Sequence, residues 1–414
     1  MKNIYLLFFV LLFSQLTILA QWEQMMDMPT ARYFLSSCTL DGKIYTMGGT
    51  QSTSAVGIIQ VYDPILNNWD NTKEDMPESR VELGACTVNG KIYVFGGAPY
   101  HGGSPIQSVV EYDPSTDTWT TKAPMETPRY GCAYGVIDGK IYVAGGTIDN
   151  NWTFTKILEI YDPLTDSWDV TKAAMPEPPI YQQQGAVIND KFYVIGGLIG
   201  APWTGQKIVH MYDLITDTWS TVDSLNEGRV GHTANVVNGK IYVIGGDTQP
   251  PPLNSVEEFD PSLDTWRIID QAPFIKICHT SSMYDNRIYL FGGSTTTIFP
   301  NATPTSAVYS FDPDSVTTDV SQENNIPEYF ILHQNYPNPF NPITVINYQI
   351  PELSFVTVKV YDVLGSEVTT LVNEEKPFGI YEVEFDARGL TSGIYFYTIV
   401  AADFVDTMKM VLMK

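Results

Sequence analysis

The fold follows from one stretch, NGKIYVIGG at Asn238–Gly246, because the chain writes it six times. The other copies are DGKIYTMGG (Asp41–Gly49), NGKIYVFGG (Asn89–Gly97), DGKIYVAGG (Asp138–Gly146), NDKFYVIGG (Asn189–Gly197) and DNRIYLFGG (Asp285–Gly293). Successive copies begin 48, 49, 51, 49 and 47 residues apart. A fixed period in this range, with a strand-like centre in each copy, points to a radial or stacked array of supersecondary units. Asp or Asn followed by Gly supplies the positive φ angles of a two-residue hairpin turn. The Lys-Ile-Tyr-Val run alternates as a strand, and the glycine pair lets the backbone turn where a Cβ would meet the next unit.

Working outward, each glycine pair leads through a variable loop to an aromatic-Asp corner. These corners are Tyr62-Asp63, Tyr112-Asp113, Tyr161-Asp162, Tyr212-Asp213, Phe259-Asp260 and Phe311-Asp312. Their aspartates read as turn residues that bond back to the chain, not as general acids. Seven residues after each of the first five aromatics stands Trp69, Trp119, Trp168, Trp219 or Trp266. Each unit thus offers four strands: an Arg-led strand, the glycine-pair strand, the Tyr-Asp strand and the Trp strand.

Composition sets the class. Of 414 residues, 17% are charged and 13% aromatic, with 25 tyrosines, a balance suited to an all-β secreted protein. The formal net charge of -24 argues against nucleic acid or an anionic membrane as partner, and serves equally well as a solubility feature. Met1–Ala20 has Lys2 followed by an apolar run ending in the small residue Ala20, and reads as a signal peptide despite Ile18 at the −3 position, with an uncleaved anchor as the alternative. No other stretch is long and apolar enough to span a bilayer. Four cysteines do not make a disulfide framework; Cys38 and Cys86 hold equivalent places in successive units and read as buried thiols, a bridge between them staying open.

Over Trp22 to Pro313 this pattern of double glycine, aromatic-Asp and spaced tryptophan resembles the kelch repeat. The resemblance implies a β-propeller with one four-stranded blade per repeat around a central channel. The sixth unit has no tryptophan after Phe311, whereas the chain starts QWEQMMDMPTAR, with Trp22, a Met28-Pro29 corner and Arg32. That start reads as the missing strand of blade six, which would close the ring and remove its exposed edges.

In kelch propellers the first strand lines the channel, and its leading loops share a face with the loops after the double glycine. Sixteen residues before the first glycine stand Arg32, Arg80, Arg129, Ile180, Arg229 and Lys276. Five cations at one level suggest a positive mouth for a carboxylate or sulfate; the alternative is that they tie blades together. Unit four has Ile180-Tyr181-Gln182-Gln183-Gln184 there, with donors and acceptors suited either to sugar and peptide groups or to buried backbone. The same-face loops add Tyr100, His101, Trp152, Phe154, Trp203 and Phe299, aromatics fit for stacking on a ligand or for folding back over the blade edge. Candidate ligand contacts are therefore Arg32, Arg80, Arg129, Arg229, Tyr181, Gln182, Trp152 and Trp203. His232 and His279 share a column thirteen residues before the first glycine and read as packing residues. Cys132, Tyr130 and Tyr134 do not complete the copper site of kelch oxidases. No metal, cofactor or catalytic triad is expected.

After Asp314 the repeat gives way to a polar linker and then short alternating strands: Thr344–Gln349, Val356–Val360, Tyr381–Phe385, Ser392–Tyr397 and Thr407–Leu412. FILHQNYPNPFNP (Phe330–Pro342), VYDVLGSEV (Val360–Val368), GLTSGIYFYTI (Gly389–Ile399) and the ending KMVLMK resemble the C-terminal sorting domain of the type IX secretion system of Bacteroidetes and related bacteria. That resemblance implies export through the secretion machinery, with the tail removed and the cargo released or attached to the outer surface of a Gram-negative cell. A plain adhesive immunoglobulin-like module is the rival.

The chain thus reads as all-β, a six-bladed kelch β-propeller closed by the N-terminal strand and followed by a small immunoglobulin-like β-sandwich. The expected segments are a signal peptide (1–20), the propeller (21–313), a linker (314–326) and the sorting domain (327–414). The expected activity is non-covalent binding of a glycan or protein ligand on the rim face. The alternatives are a sugar-modifying enzyme resembling the kelch sialic-acid mutarotases, with Glu82 or a tyrosine moving a proton, and a structural surface protein with no small ligand.

Overall fold

The computed structural model describes residues 21–178, 180–200, 204–247, 252–296, 302–315, 330–332, 334–335, 337–351, 353–376, 379–402 and 404–413. The expected signal peptide, most of the linker, Trp203 and Phe299 lie outside these residues. The chain divides into two compact units, Met1–Thr317 and Thr318–Lys414. Among the described residues no helix is long and apolar enough to cross a membrane.

The first unit is six four-stranded antiparallel blades. After β1 (Trp22–Met25), blade one is β2 (Tyr33–Leu40), β3 (Lys43–Thr50), β4 (Ile59–Asp63) and β5 (Asn68–Asp70). Blade two is β6 (Gly84–Val88), β7 (Lys91–Phe95), β8 (Val109–Asp113) and β9 (Thr118–Lys122). Blade three is β10 (Ala133–Ile137), β11 (Lys140–Ala144), β12 (Leu158–Asp162) and β13 (Ser167–Asp169). Blade four is β14 (Gln184–Ile188), β15 (Lys191–Ile195), β16 (Val209–Asp213) and β17 (Thr218–Thr221). Blade five is β18 (Thr233–Val237), β19 (Lys240–Ile244), β20 (Ser255–Asp260) and β21 (Thr265–Gln271). Blade six is β22 (Thr280–Tyr284), β23 (Arg287–Phe291) and β24 (Val308–Phe311), completed by β1, which pairs antiparallel with β24 from Trp22↔Phe311 to Met25↔Val308. The N-terminal strand does close the ring.

Within a blade the repeated phrase behaves locally as its residues dictate. Asp41 and Gly42 sit at φ 48° and 74°, and the equivalent pairs in the other blades are also left-handed, so each hairpin is a type I′ turn. The tyrosine of each Tyr-Asp corner faces the spaced tryptophan across the next pairing, as Tyr62↔Trp69 with ring centroids 5.0 Å apart. The corner aspartates accept backbone N–H groups two residues on, as Asp63 does from Ile65 at 3.0 Å.

The glycine pair joins neighbouring blades. The second glycine donates its N–H to the carbonyl at the head of the next blade: Gly49 to Arg80 (3.0 Å), Gly97 to Arg129 (3.0 Å), Gly146 to Ile180 (3.0 Å), Gly197 to Arg229 (2.8 Å), Gly246 to Lys276 (3.0 Å) and Gly293 to Arg32 (2.8 Å). A Cβ on the first glycine would meet that same carbonyl, at 2.7 Å for Gly48 and 2.5 Å for Gly96. Six such joints run around the ring, one for each copy of the phrase.

Between the blades the core is likewise six layers, each shared by two of them, and a seventh cluster with Phe34, Tyr130 and Tyr181 joins several blades. Tyr45, Met47 and Val61 of blade one pack with Ile92, Val94 and Val110 of blade two. The last layer joins Leu35, Ile44 and Tyr62 to Tyr289, Phe291 and Val308 across the closure. Cys38, Cys86, Cys132 and Cys278 are free, buried thiols. The propeller ends in a 3₁₀ turn, Pro313–Ser315, where Asp314 accepts from Asn238 Nδ2 at 2.9 Å, so the first residues assigned to the linker are held by blade five.

The second unit has two sheets, β25 (Ile331–Leu332), β26 (Ile343–Ile350) and β29 (Gly379–Asp386) in one, and β28 (Glu367–Lys376), β27 (Ser354–Tyr361), β30 (Gly393–Ala401) and β31 (Phe404–Leu412) in the other. Both contribute to one core, Ile346, Tyr348 and Phe385 from the first and Val358, Tyr397 and Met410 from the second. Strand β28 was not expected, because EVTTLVNEEK buries one residue in its central half and carries little alternation. The Asn-Pro segment before β26 is fixed by asparagine amides. Buried Asn335 donates to Pro337 O (3.1 Å) and Thr344 Oγ1 (2.9 Å), while Asn338 Oδ1 accepts from Val411 N–H of β31 (2.9 Å).

Candidate functional site

The innermost strands β2, β6, β10, β14, β18 and β22 surround the channel, each touching the next. At its mouth, two residues after the Arg column, stand Phe34, Glu82, Gly131, Gln182, Gly231 and Cys278, all left-handed, with φ of 58°, 54°, 62°, 50°, 63° and 52°. Their backbones bond head to tail: Phe34 N–H to Cys278 O (2.8 Å), Glu82 to Phe34 (2.9 Å), Gly131 to Glu82 (3.1 Å), Gln182 to Gly131 (2.8 Å) and Cys278 to Gly231 (2.7 Å). Four non-glycine side chains are thus held in a conformation that costs energy, which occurs where the surroundings over-determine it.

Glu82 is the centre of this mouth. Its side chain is 2% exposed. Oε1 meets His101 Nδ1, and Oε2 accepts from the Tyr181 hydroxyl and, at 3.2 Å, from Gln182 Nε2. Burial, and then the Glu82 charge, push the Tyr181 phenol well above its ordinary range, so it is the proton donor of the pair. Rings enclose the group. His101 lies flat on Phe34 at 4.9 Å, Trp152 stands 5.3 Å from His101 and 5.4 Å from Tyr181, and Phe154 stacks on Tyr181 at 5.5 Å. The loop before β12 aims Trp152 by an Asx turn: Asp149 accepts from Asn151 N–H (2.9 Å) and Thr153 N–H (3.0 Å), leaving Trp152 at φ 63°. Tyr181 is anchored by paired backbone bonds with Leu198 (3.0 and 2.7 Å).

Below the mouth is a cavity of about 180 Å³. Its walls bond to one another, with the Tyr134 hydroxyl reaching Ser36 Oγ of another blade at 2.9 Å and Ser37 Oγ meeting Thr280 Oγ1 at 2.9 Å and Ser282 Oγ at 2.8 Å. His232 and His279 share this wall and pack over Gly196 and Gly245 of the preceding blades. Among the described residues no group of three or more His, Cys, Asp or Glu is placed to hold a metal.

Of the candidate contacts, Trp152, Tyr181 and Gln182 converge on Glu82. The arginines do not. Arg32, Arg80, Arg129 and Arg229 are each 0% exposed, inside their own blades. Each donates from Nη1 to the carbonyl of its blade's first glycine, at 2.6 Å (Gly48), 3.0 Å (Gly96), 3.3 Å (Gly145) and 2.8 Å (Gly245). Nη2 then meets a polar side chain: Gln60 for Arg32 (2.9 Å), Glu78 for Arg80 (2.9 Å), Glu159 for Arg129 and Glu257 for Arg229 (2.6 Å). The expected positive mouth is therefore not built by this column, because guanidinium forks are spent on carbonyls that the blade cannot otherwise satisfy. Blades without Arg differ. Beside Ile180 the equivalent of Glu159 is His210, whose imidazole burial pushes down, and Lys276 sits on the rings of Phe274 and Tyr309 at 4.9 and 5.0 Å. The glutamines of unit four divide: Gln182 faces Glu82, whereas Gln183 donates to Ala144 O of the neighbouring blade at 2.9 Å. Phe34 and Tyr130 were not among the expected contacts, though the Tyr130 ring stands 5.8 Å from Tyr181 and 6.4 Å from Trp152. Glycine at Gly131 and Gly231 in the Phe34 column was the available sign that every member of it is left-handed.

The KLHDC2/KLHL20/DRC7 Kelch-repeats domain matches residues 70–227 and 186–329, the Kelch motif residues 31–73, and the secretion system C-terminal sorting domain residues 334–413. Kelch-like protein 25 of Xenopus tropicalis is 28% identical over 243 residues, covering 57% of this chain and 40% of that protein. Human Kelch repeat and BTB domain-containing protein 13 is 32% identical over 77 residues, 19% of this chain and 17% of that one. The chain thus spans less than half the length of these curated relatives. The solved structure of YjhT is similar in fold, with TM-score 0.61 and 16% identity over 69% of this chain and 95% of that one. The sorting domain implies secretion or surface attachment in a Bacteroidetes-type Gram-negative bacterium. The chain belongs to the kelch-repeat propeller family and carries the C-terminal sorting domain of the type IX secretion system.

Proposed function

We propose that the propeller is a non-covalent binding module whose ligand, a glycan, is held at the channel mouth. The observation that carries this reading is the convergence of Trp152, Tyr181 and Gln182 on Glu82, which sets an aromatic face beside fixed donors and an acceptor, the equipment that grips a sugar ring and its hydroxyls. Trp203, outside the described residues, belongs to the same proposal as a further stacking residue. In the same reading the chain is divided as 1–20, 21–313, 314–326 and 327–414, with the first and last segments serving export; the mass of the secreted product tests the two cleavages.

Binding of the full mature chain to glycan and peptide arrays is the test. Glycan signals that fall at least about tenfold in Trp152→Ala, with Arg129→Lys unaffected, are the expected result. Signals on peptides alone would replace the glycan with a protein ligand, and no signal that depends on Trp152 would end the reading.

A second reading, a sugar mutarotase, is favoured by one observation: Glu82 shares hydrogen bonds with two proton-carrying groups, His101 and Tyr181. The buried arginines leave it without the expected holder for an acidic sugar. Faster exchange of sugar anomers, lost in Glu82→Gln, would support it.

A further inference from the structure

The mouth carries formal charge of one sign. Among the described residues lining the cavity, Glu82 is the one Asp, Glu, Lys or Arg, and the second charge that acts on Cys278 of the mouth, Asp247, is also negative. His232 and His279 share the wall as neutral rings, since burial pushes the first imidazole well down and the second to about 3. The arginines are bonded within their blades. A carboxylate beneath aromatic faces is the arrangement that holds an organic cation, because the ring quadrupoles attract positive charge and the carboxylate neutralises it. The His101 imidazole already occupies that position, 12° from parallel with Phe34 and with Nδ1 on Glu82. It reaches there from the loop between β7 and β8 rather than from a strand. Gly102, at φ 78°, and Gly103 follow it, so its backbone can turn away without steric cost.

We infer that the mouth is a cation site, in which Glu82 and the rings of Phe34, Trp152 and Tyr181 receive the ammonium group of an organic ligand that displaces the His101 side chain. This rests on the mouth being the binding site and deepens it: the glycan carries free amines, as an amino sugar does. The ligand's charge is thereby opposite to the one expected from the arginine column.

Calorimetric titration of the full mature chain with choline and with 3,3-dimethyl-1-butanol, its uncharged isostere, separates charge from shape. Choline should bind at least about tenfold more tightly, within the range that a desolvated cation over aromatic faces supplies. His101→Ala should tighten choline further by vacating its place, and Glu82→Gln should erase the preference. Equal affinity of the wild-type protein for the two compounds overturns the inference without recourse to any variant. So does a choline affinity that Glu82→Gln leaves unchanged in a protein of normal melting temperature. An array of free-amine glycans and their N-acetylated counterparts distinguishes the two readings. Trp152-dependent retention of acetylated and free forms alike, with no choline preference, sinks the cation site and leaves glycan binding. Choline preference with no glycan retained supports the cation site and sinks the glycan.

Discussion

At the residue scale, Arg129 and Lys276 show what a cation does at the head of a blade. Arg129 lies between Gly145 O, Ile157 O and Glu159, and Glu159 also accepts the N–H groups of Glu126 (3.2 Å) and Thr127 (3.0 Å). Both side chains are fully buried. Arg129→Met leaves that carboxylate uncompensated and should cost about 3–5 kcal/mol in denaturant unfolding of the propeller. An arginine serving a ligand at the mouth would instead leave stability nearly unchanged. Lys276 donates to Ala307 O at 2.6 Å, and burial, opposed only in part by the Asp27 charge, lowers its pKa from 10.5 to about 7. Between those values the unfolded chain binds more protons at this site than the folded one, so its contribution to stability rises with pH across that window and is flat below about pH 7. The buried thiols act in the opposite sense above about pH 9, since burial raises their pKa values. The readout is therefore the difference from Lys276→Met: the melting temperature of the wild type should gain on the variant's as pH rises from about 7 to about 9.

At the element scale, two kinds of glycine in one phrase separate turn from joint. Gly90 and Gly96 belong to the same hairpin, at φ 76° and 61°. A Cβ on Gly90 meets nothing within 4 Å, whereas on Gly96 it meets Arg129 O at 2.5 Å. Gly90→Ala should cost only the left-handed penalty of about 1 kcal/mol, and Gly96→Ala at least about 2 kcal/mol, because the next blade must move. Equal costs measured by thermal unfolding would mean that the joint is slack. The turn, the strand and the glycine break were legible because each depends on neighbours in sequence. The staple on the outer side of each blade was not. Asp166 accepts from the Tyr161 hydroxyl and, at 2.9 Å, from Ala123 N–H, while Trp168 Nε1 donates to Ala123 O at 3.0 Å. Ala123 stands 43 and 45 positions from Asp166 and Trp168 and meets them only once blades two and three are side by side. The sequence showed Tyr161 and Trp168 as repeating, and the partner that makes them repeat was out of view.

At the scale of the whole molecule, blade number and closure were readable, since both are counts: six glycine pairs, five spaced tryptophans downstream and Trp22 upstream. The site was half readable. Trp152, Tyr181 and Gln182 stand out as departures from the repeat, but Arg32, Arg80, Arg129 and Arg229 were read toward the channel although they turn into the blades. A column says which residues share a level and leaves open which way each side chain points, and that direction reversed the charge of the mouth. Closure itself is testable. Trp22 donates from Nε1 to Asp270 (2.5 Å) and its ring lies 4.6 Å from Phe311. Deleting residues 21–27 strips β24 of its outer partner and exposes an edge strand. Size-exclusion chromatography with light scattering should then show a shift to larger oligomers or aggregate relative to the undeleted protein, and an unchanged elution profile would argue that β1 is dispensable. The β1–β24 pairing also fixes an order of events. Synthesis delivers β1 before every other strand of the propeller and β24 after all of them, so the earliest segment must wait longest for its partner. The ring cannot shut on an incomplete set of blades, which makes closure an arrival signal: a chain that stalls in transit keeps an open seam for chaperones and proteases to recognise, and a finished one hides it.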